Sequence, residues 1–365
     1  MRLEFDVGSC VRATSKFSEC TKCVEICPVS TIEIVDNIPA FTPSACIDCG
    51  GCVGVCPTES FSLNNFSSVN FFFEFLESKK SHLACQYEIP CLSTLSVEHL
   101  ISLSLASEEP LSMDVEGCHC GGDSDRLTSQ IKANIEEANF ILDSISDKQI
   151  AIKSIEVKKE DEEKDDEVSD RRSFLSLKTA VKSKQSFDEA VDADELKAFA
   201  LDMDVIAKIK DKKIPDKRKL LFSVLKRLDK PESYDVLATE DISFTSQKFV
   251  DESCTNCQIC YRICPTGALS SDNRFSAINF DAMMCVKCHL CHDVCEPNSI
   301  QLQAGFEIKE FFEPMQRVLA TFNIKRCNEC GNNFTYKGGL IECDRCKLEE
   351  EEAMELHFKK SNPTK

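Results

Sequence analysis

The middle of the chain alternates most clearly between two kinds of apolar period. "SHLACQY" (81–87) reads as a short strand, and "TLSVEHLISLSLAS" (94–107) returns apolar residues at helical spacing through Leu95, Leu100, Ile101 and Leu105. "PLSMDVEG" (110–117) alternates as a strand. "SDRLTSQIKANIEEANFILDSIS" (124–146) is an amphipathic helix with Ile131, Ile135, Phe140 and Ile141 on its apolar side, and "QIAIKSIEV" (149–157) is a third strand. Strand, helix, strand, helix, strand predicts a small parallel sheet with right-handed crossovers. Shorter alternation in "STIEIVD" (30–36) and "GALSSD" (267–272) predicts brief strands nearer the two ends. The greasiest stretch, "NFFFEFLES" (70–78), is short and broken by Glu74, and no run of 18 apolar residues occurs, so no membrane-spanning helix is expected.

Polar stretches punctuate this pattern. "EVKKEDEEKDDEVSDRRS" (156–173) has no apolar period and reads as a charged linker, with a helix expected over "SFDEAVDADELKAFALDMDVIAKI" (186–209), whose first turn carries Asp188 and Glu189. Next comes "AKIKDKKIPDKRKLLFSVLKR" (207–227), with nine Lys/Arg against Asp211 and Asp216. Such a stretch is a solvated helix face or, more pointedly, a docking patch centred on Lys217, Arg218 and Lys219, for an acidic partner or for the acidic rest of this chain. "SDRRSFLSL" (169–177) resembles a twin-arginine export motif only superficially, because it lies mid-chain and "KTAVKSK" follows it.

Composition then sharpens the question. The chain has 365 residues, 24 cysteines and a formal net charge of -19. Its first residues, "MRLEFDVGSCVRAT", carry no apolar run of signal-peptide length, so a cytoplasmic location and metal thiolates are expected rather than a disulfide framework. The acidity argues against nucleic acid as a partner.

The cysteines group in fours. Cys254-x2-Cys257-x2-Cys260-x3-Cys264-Pro265 is followed by Cys285-x2-Cys288-x2-Cys291-x3-Cys295, where Glu296 precedes the proline, Pro297. Near the N-terminus, Cys46-x2-Cys49-x2-Cys52-x3-Cys56-Pro57 is complete, whereas Cys20-x2-Cys23-x3-Cys27-Pro28 has Phe17 at its first position, with Cys10 the nearest replacement. Zinc sites separate two ligand pairs, so these crowded runs suit it poorly; the spacing is that of chains wrapped around cubane clusters.

On these motifs, residues of about 5–65 and 245–305 resemble bacterial two-cluster 2[4Fe-4S] ferredoxins. The resemblance implies criss-crossed ligation and four [4Fe-4S] clusters. Cys254, Cys257, Cys260 and Cys295 would hold one and Cys285, Cys288, Cys291 and Cys264 the next. Cys10, Cys20, Cys23 and Cys56 would hold the third, and Cys46, Cys49, Cys52 and Cys27 the fourth. Without Cys10 the third would be a three-iron or labile site. Ile26, Val29, Ile32 and Ile34 in one module, and Ile263, Ala268, Ile300 and Leu302 in the other, are expected to exclude water.

Eight cysteines remain. Cys327-x2-Cys330, twelve residues and Cys343-x2-Cys346 read as a zinc ribbon, a structural Zn2+ being favoured over a single iron. Cys85, Cys91, Cys118 and Cys120 fall at the carboxyl ends of the first two central strands, with His119 between two of them; a [2Fe-2S] cluster or another metal is the functional expectation, and four ordinary cysteines the plain one. Residues 80–157 faintly resemble the small iron–sulfur subunits of hydrogenase and formate dehydrogenase systems.

The expected architecture is α+β and multi-domain: a ferredoxin-like 2[4Fe-4S] module (1–65), a small three-stranded parallel α/β domain (66–157), a charged, partly helical linker (158–244), a second ferredoxin-like module (245–308) and a zinc-ribbon-like C-terminal segment (309–365). No phosphate loop, dinucleotide fingerprint or nucleophile–histidine pair is present, so no catalytic residue and no small-molecule substrate are assigned. The expectation is an electron carrier, a polyferredoxin with redox-protein partners in a larger oxidoreductase. A redox- or oxygen-sensing regulatory or assembly protein, using a labile cluster and the ribbon as its interaction module, is the alternative.

Overall fold

The computed structural model describes residues 3–85, 89–116, 123–154 and 213–361. Cys118, His119, Cys120, the linker at 156–173 and the helix expected at 186–209 lie outside the described residues.

The N-terminal module is built from short elements. β1 (Leu3–Phe5), α1 (Val11–Thr14), α2 (Lys22–Ile26), β2 (Ile32–Val35), β3 (Ile38–Phe41), α3 (Gly51–Val55) and β4 (Phe61–Leu63) follow one another, with β1 pairing antiparallel to β4 and β2 to β3. Asp36 and Asn37 join β2 to β3 at φ of 50° and 64°, as a two-residue hairpin turn requires.

The middle unit begins with α4 (Ser68–Glu77), whose Ser67 side chain accepts the Asn70 N–H, and whose Val69, Phe71, Phe72 and Phe75 are buried. β5 (His82–Ala84), α5 (Val97–Ala106), β6 (Ser112–Asp114), α6 (Ser124–Leu142) and β7 (Ala151–Ile152) complete it, the three strands lying parallel in the order β5–β6–β7. A helix buried on all sides has to find partners for its polar groups inside the protein. α5 does so in part: Ser96 and His99 form its capping box and Ser102 Oγ donates to the Glu98 carbonyl at 2.6 Å, whereas His99 Nε2 and Ser104 Oγ are buried without a partner among the described residues. α6 turns Leu127, Ile131, Ile135, Ala138, Ile141 and Leu142 inward. Phe140, expected on that face, is instead 37% exposed, because it falls between the i, i+3, i+4 positions that the other residues occupy.

α7 (Asp216–Leu225) corrects two expectations. It is no part of a solvated linker: Leu220, Leu221, Phe222, Val224 and Leu225 are buried and the helix packs on α5. Lys217 and Arg218 are buried against the rest of the chain, on Glu98 and the Cys56 carbonyl among others, so the basic stretch docks internally and offers no patch there to a separate partner, and Lys219 pairs with Asp216 at 3.2 Å. Apolar residues on the rest of the helix pull these two cations into the core, where they find carbonyl and carboxylate partners.

The second module comprises β8 (Val236–Ala238), β9 (Lys248–Val250), α8 (Ile259–Ile263), β10 (Leu269–Ser270), β11 (Ala277–Asp281), α9 (Leu290–Asp293), β12 (Ile300–Leu302), β13 (Gly305–Glu307), α10 (Lys309–Phe312) and β14 (Gln316–Thr321). β9 pairs with β12 and β8 with β13, while β10, β11 and β14 form one antiparallel sheet. β14 lies in the segment expected to belong to the ribbon, yet it pairs with the module. The hairpin β15 (Ile324–Arg326) and β16 (Asn333–Thr335) and the helix α11 (Asp344–Ser361) follow.

Candidate metal centres

Three of the cysteine quartets that the resemblance implies line a pocket apiece. Cys10, Cys20, Cys23 and Cys56 line one, Cys254, Cys257, Cys260 and Cys295 a second, and Cys264, Cys285, Cys288 and Cys291 a third. Cys27, Cys46, Cys49 and Cys52 gather closely enough that the charges of Cys27, Cys46 and Cys49 all act on Cys52, and that of Cys27 on Cys46.

The backbone repeats around these quartets. In each complete run the residues before and after the second cysteine take positive φ: Asp48 and Gly50, Asn256 and Gln258, Lys287 and His289. Such alternation turns successive N–H groups into a concave nest. The N–H two residues on reaches the sulfur of Cys46 (from Asp48), Cys49 (from Gly51) and Cys288 (from Leu290). After the last cysteine of each run, the third residue on again has positive φ: Ser30, Glu59, Gly267 and Asn298. The next N–H then donates to sulfur, Thr31 to Cys27 at 3.4 Å, Ser60 to Cys56 at 3.2 Å and Ser299 to Cys295 at 3.3 Å. Hydrogen bonds to thiolate sulfur are a main means of setting a cluster's potential.

The incomplete run departs from this pattern as its sequence does. Neither Glu19 nor Thr21 has positive φ; Phe17 is 59% exposed, and Cys10, 7% exposed, lines the pocket in its place. The long loop from 10 to 20 replaces the tight nest, pinned by Arg12 Nε donating to the Cys20 carbonyl at 2.8 Å.

The thiols suit a cationic inorganic core. Burial, reinforced by neighbouring thiolates, pushes Cys23, Cys260 and Cys291 up to about 12, and burial does the same to Cys49. Ionising such buried thiols beside other thiolates needs positive charge at the site, which iron supplies.

The ribbon quartet is of another kind. Cys327, Cys330, Cys343 and Cys346 hold all four sulfurs within 4.8 Å of one another, the one such group among the described residues. Sulfur pairs at 3.9 Å (Cys327–Cys346) and 3.7 Å (Cys330–Cys343) match the edge of about 3.8 Å that a tetrahedral ion with bonds of about 2.3 Å demands. N–H groups of Cys330, Cys343 and Glu329 lower Cys327 to about 6, favouring the thiolate a metal needs. A single ion fits here; a cubane does not.

Of the middle group, Cys85 accepts the Leu92 N–H at 3.3 Å, and Cys91, 1% exposed, accepts the Ser93 hydroxyl at 3.1 Å. Cys91 lies near enough to Cys49 to raise its thiol. The turn after Cys91 is seated on α3: Thr94 Oγ1 donates to the Cys49 carbonyl at 3.3 Å, and a Cβ on Gly54 would lie 2.1 Å from the Ser93 carbonyl oxygen. This seating was missed from the sequence, although the glycines of "CGGCVGVC" signal it: the other runs carry no such density, and close backbone approach is what glycine permits.

Residues 18–60 and 253–299 each match the 4Fe-4S dicluster domain family. The chain is also similar to "Ferredoxin 7Fe" of Hydrogenibacillus schlegelii, 41% identical over 44 residues, which is 12% of this chain and 56% of that ferredoxin. The chain thus carries two ferredoxin-type iron–sulfur modules, of a kind that carries electrons. Among the described residues no helix is long and apolar enough to cross a membrane.

Proposed function

We propose that this chain is a polyferredoxin that moves single electrons between redox proteins as a subunit or accessory of a larger oxidoreductase, of the formate dehydrogenase or hydrogenase kind. The observation that carries this reading is the gathering of the cysteines into quartets, two in each ferredoxin-type module, three of them lining a common pocket. Bound there, a [4Fe-4S] cluster supplies one-electron redox chemistry with little rearrangement. The sixteen cysteines named above bind it, the nests and N–H···S bonds hold the thiolates, and Ile26, Ile32, Ala268 and Ile300, all buried, keep water away. The relative's name specifies seven irons; four cysteines rather than three line the Cys10 pocket, which favours a full cubane. The ribbon holds a structural Zn2+. Cys85 and Cys91, the latter near Cys49, together with Cys118 and Cys120, would add a further metal, a [2Fe-2S] cluster in the first instance. The protein acts in the cytoplasm.

Iron, sulfide and zinc analysis of anaerobically purified full-length protein, with EPR of the reduced state, tests this. About sixteen irons and one zinc per chain are expected, with two further irons if the middle site is filled. Colourless, iron-free protein with zinc in the two modules overturns the reading. Loss of one cluster that alters self-association, in a protein unable to reduce any partner, would instead mark a sensor.

A further inference from the structure

The two modules meet on one defined face, and α7 grips it from both sides. Glu59, three residues after Cys56, caps the helix: its carboxylate accepts the N–H groups of Asp216 at 2.7 Å and Lys217 at 3.0 Å. A carboxylate at a helix N-terminus is favoured both by the free N–H groups and by the dipole. Lys217 Nζ donates to the Cys56 carbonyl at 2.5 Å. One residue on, the fully buried Arg218 reaches the other way. It donates to Glu98 at 2.5 Å, to the Phe244 carbonyl at 2.8 Å, to the Cys285 carbonyl at 2.9 Å and to the Met283 carbonyl. Adjacent side chains therefore hold the backbone of a cysteine from each module.

A second contact, independent of α7, joins the same two quartets. The N–H of Glu19, next to Cys20, donates to Asp293 at 3.2 Å, and Asp293 closes the short helix that carries Cys291. A cleft lined by Ser9 and Thr58 on one side and Ile263 and Cys264 on the other runs along the same junction. The remaining quartets face elsewhere. Cys27 and Cys49 give their carbonyls to Arg126 (3.1 Å) and Thr94 (3.3 Å) of the middle unit. Around Cys257, an exposed cysteine, Asn256 donates to Thr335 of the ribbon hairpin at 3.1 Å.

We propose, building on the polyferredoxin reading, that Lys217, Arg218 and the Glu19–Asp293 contact are positioning residues. They set the Cys10/Cys20/Cys23/Cys56 quartet against the Cys264/Cys285/Cys288/Cys291 quartet, and electrons cross between the modules at this face. The path then has two ends: the Cys27/Cys46/Cys49/Cys52 quartet beside Cys91, and the Cys254/Cys257/Cys260/Cys295 quartet at the surface. Chain order and path order differ, since the N-terminal module is entered through the middle unit.

The test uses the full chain, reconstituted anaerobically with iron and sulfide, reduced with dithionite and studied by EPR. Cys10→Ala/Cys20→Ala should retain about twelve irons, narrow the signal of the second module and make it saturate at several-fold lower microwave power. Cys46→Ala/Cys49→Ala, removing the far site, should leave that signal unchanged. Lys217→Met/Asp293→Ala, at undiminished iron, should mimic the Cys10/Cys20 variant; a merely stabilising role would lower the unfolding temperature without moving the saturation. Equal effects of the two cysteine variants overturn the proposal, as does unaltered saturation in Lys217→Met/Asp293→Ala. If that last variant loses iron, the contrast between the two cysteine variants decides alone. Failure of the polyferredoxin reading looks different, because the unsubstituted chain would then take up no iron.

Discussion

At the scale of single residues, Cys10 is the sharpest case. Its run offers Phe17 at the register position and Cys10 seven residues earlier, and the chain takes the cysteine by opening a loop. Cys10→Ala should cost one iron and give a three-iron EPR signal in the oxidised state, whereas Phe17→Ala should leave iron content unchanged; equal iron in both variants would remove Cys10 from the site. Asp281 is a different matter. Burial raises its carboxyl to about 6, against the N–H groups of Met283 and Met284, which oppose the shift. An acid whose folded value exceeds its unfolded value of 3.8 disfavours the fold once ionised, so its penalty is absent below 3.8 and complete above about 6. Asp281→Asn keeps an oxygen for Met283 and should stabilise the chain by up to about 3 kcal/mol above pH 7. Melting curves from pH 5 to 8 should show that advantage growing with pH and then levelling; an advantage that shrinks as pH rises contradicts the sign.

At the scale of elements, the parallel sheet of the middle unit was legible because its strands and helices differ in period, 2 against 3.6. The closely spaced cysteines of each run were legible because ligand spacing is a local property of the chain, whereas the fourth member of each quartet, from the other run, came from the family resemblance. Neither the seating of the 92–94 turn on α3 nor the burial of α7 is local, so neither followed from period or composition. α7 reads as basic and solvated until its partners are known, and those partners are carbonyls 26 to 161 residues away, Phe244, Met283, Cys285 and Cys56, together with Glu98 and Glu59. The glycines of α3 turn this long-range seating into a measurable effect. An added Cβ at Gly54 meets a backbone oxygen at 2.1 Å, which cannot yield without parting the two units; at Gly51 it meets the tip of Leu127 at 2.9 Å, a movable side chain. Gly54→Ala should therefore destabilise by about 3 kcal/mol and Gly51→Ala by no more than about 1, the helix propensity gained by alanine being the same in both. Chemical denaturation of the two variants checks this, and comparable losses would mean that α3 and the turn do not touch as described.

At the scale of the whole molecule, burying Lys217 and Arg218 reverses the electrostatic argument about partners. A basic patch at α7 would have recruited an acidic protein; with those cations spent on internal carbonyls and on Glu98, it no longer offsets the chain's net charge of -19. A partner basic around its own redox centre is therefore the expected one. Long-range attraction raises the encounter rate and is screened within about 8 Å at physiological salt, so its signature is kinetic. Reduction of a basic one-electron acceptor protein by the dithionite-reduced chain should slow at least tenfold between 10 mM and 300 mM salt, while an acidic acceptor should react more slowly and gain speed as salt is added. Stopped-flow traces at several ionic strengths separate the two. A rate with the basic acceptor that ignores salt would mean that partners are selected by short-range fit at the exposed Cys257 end, where Ile259 and Phe275 are also partly exposed, and not by charge.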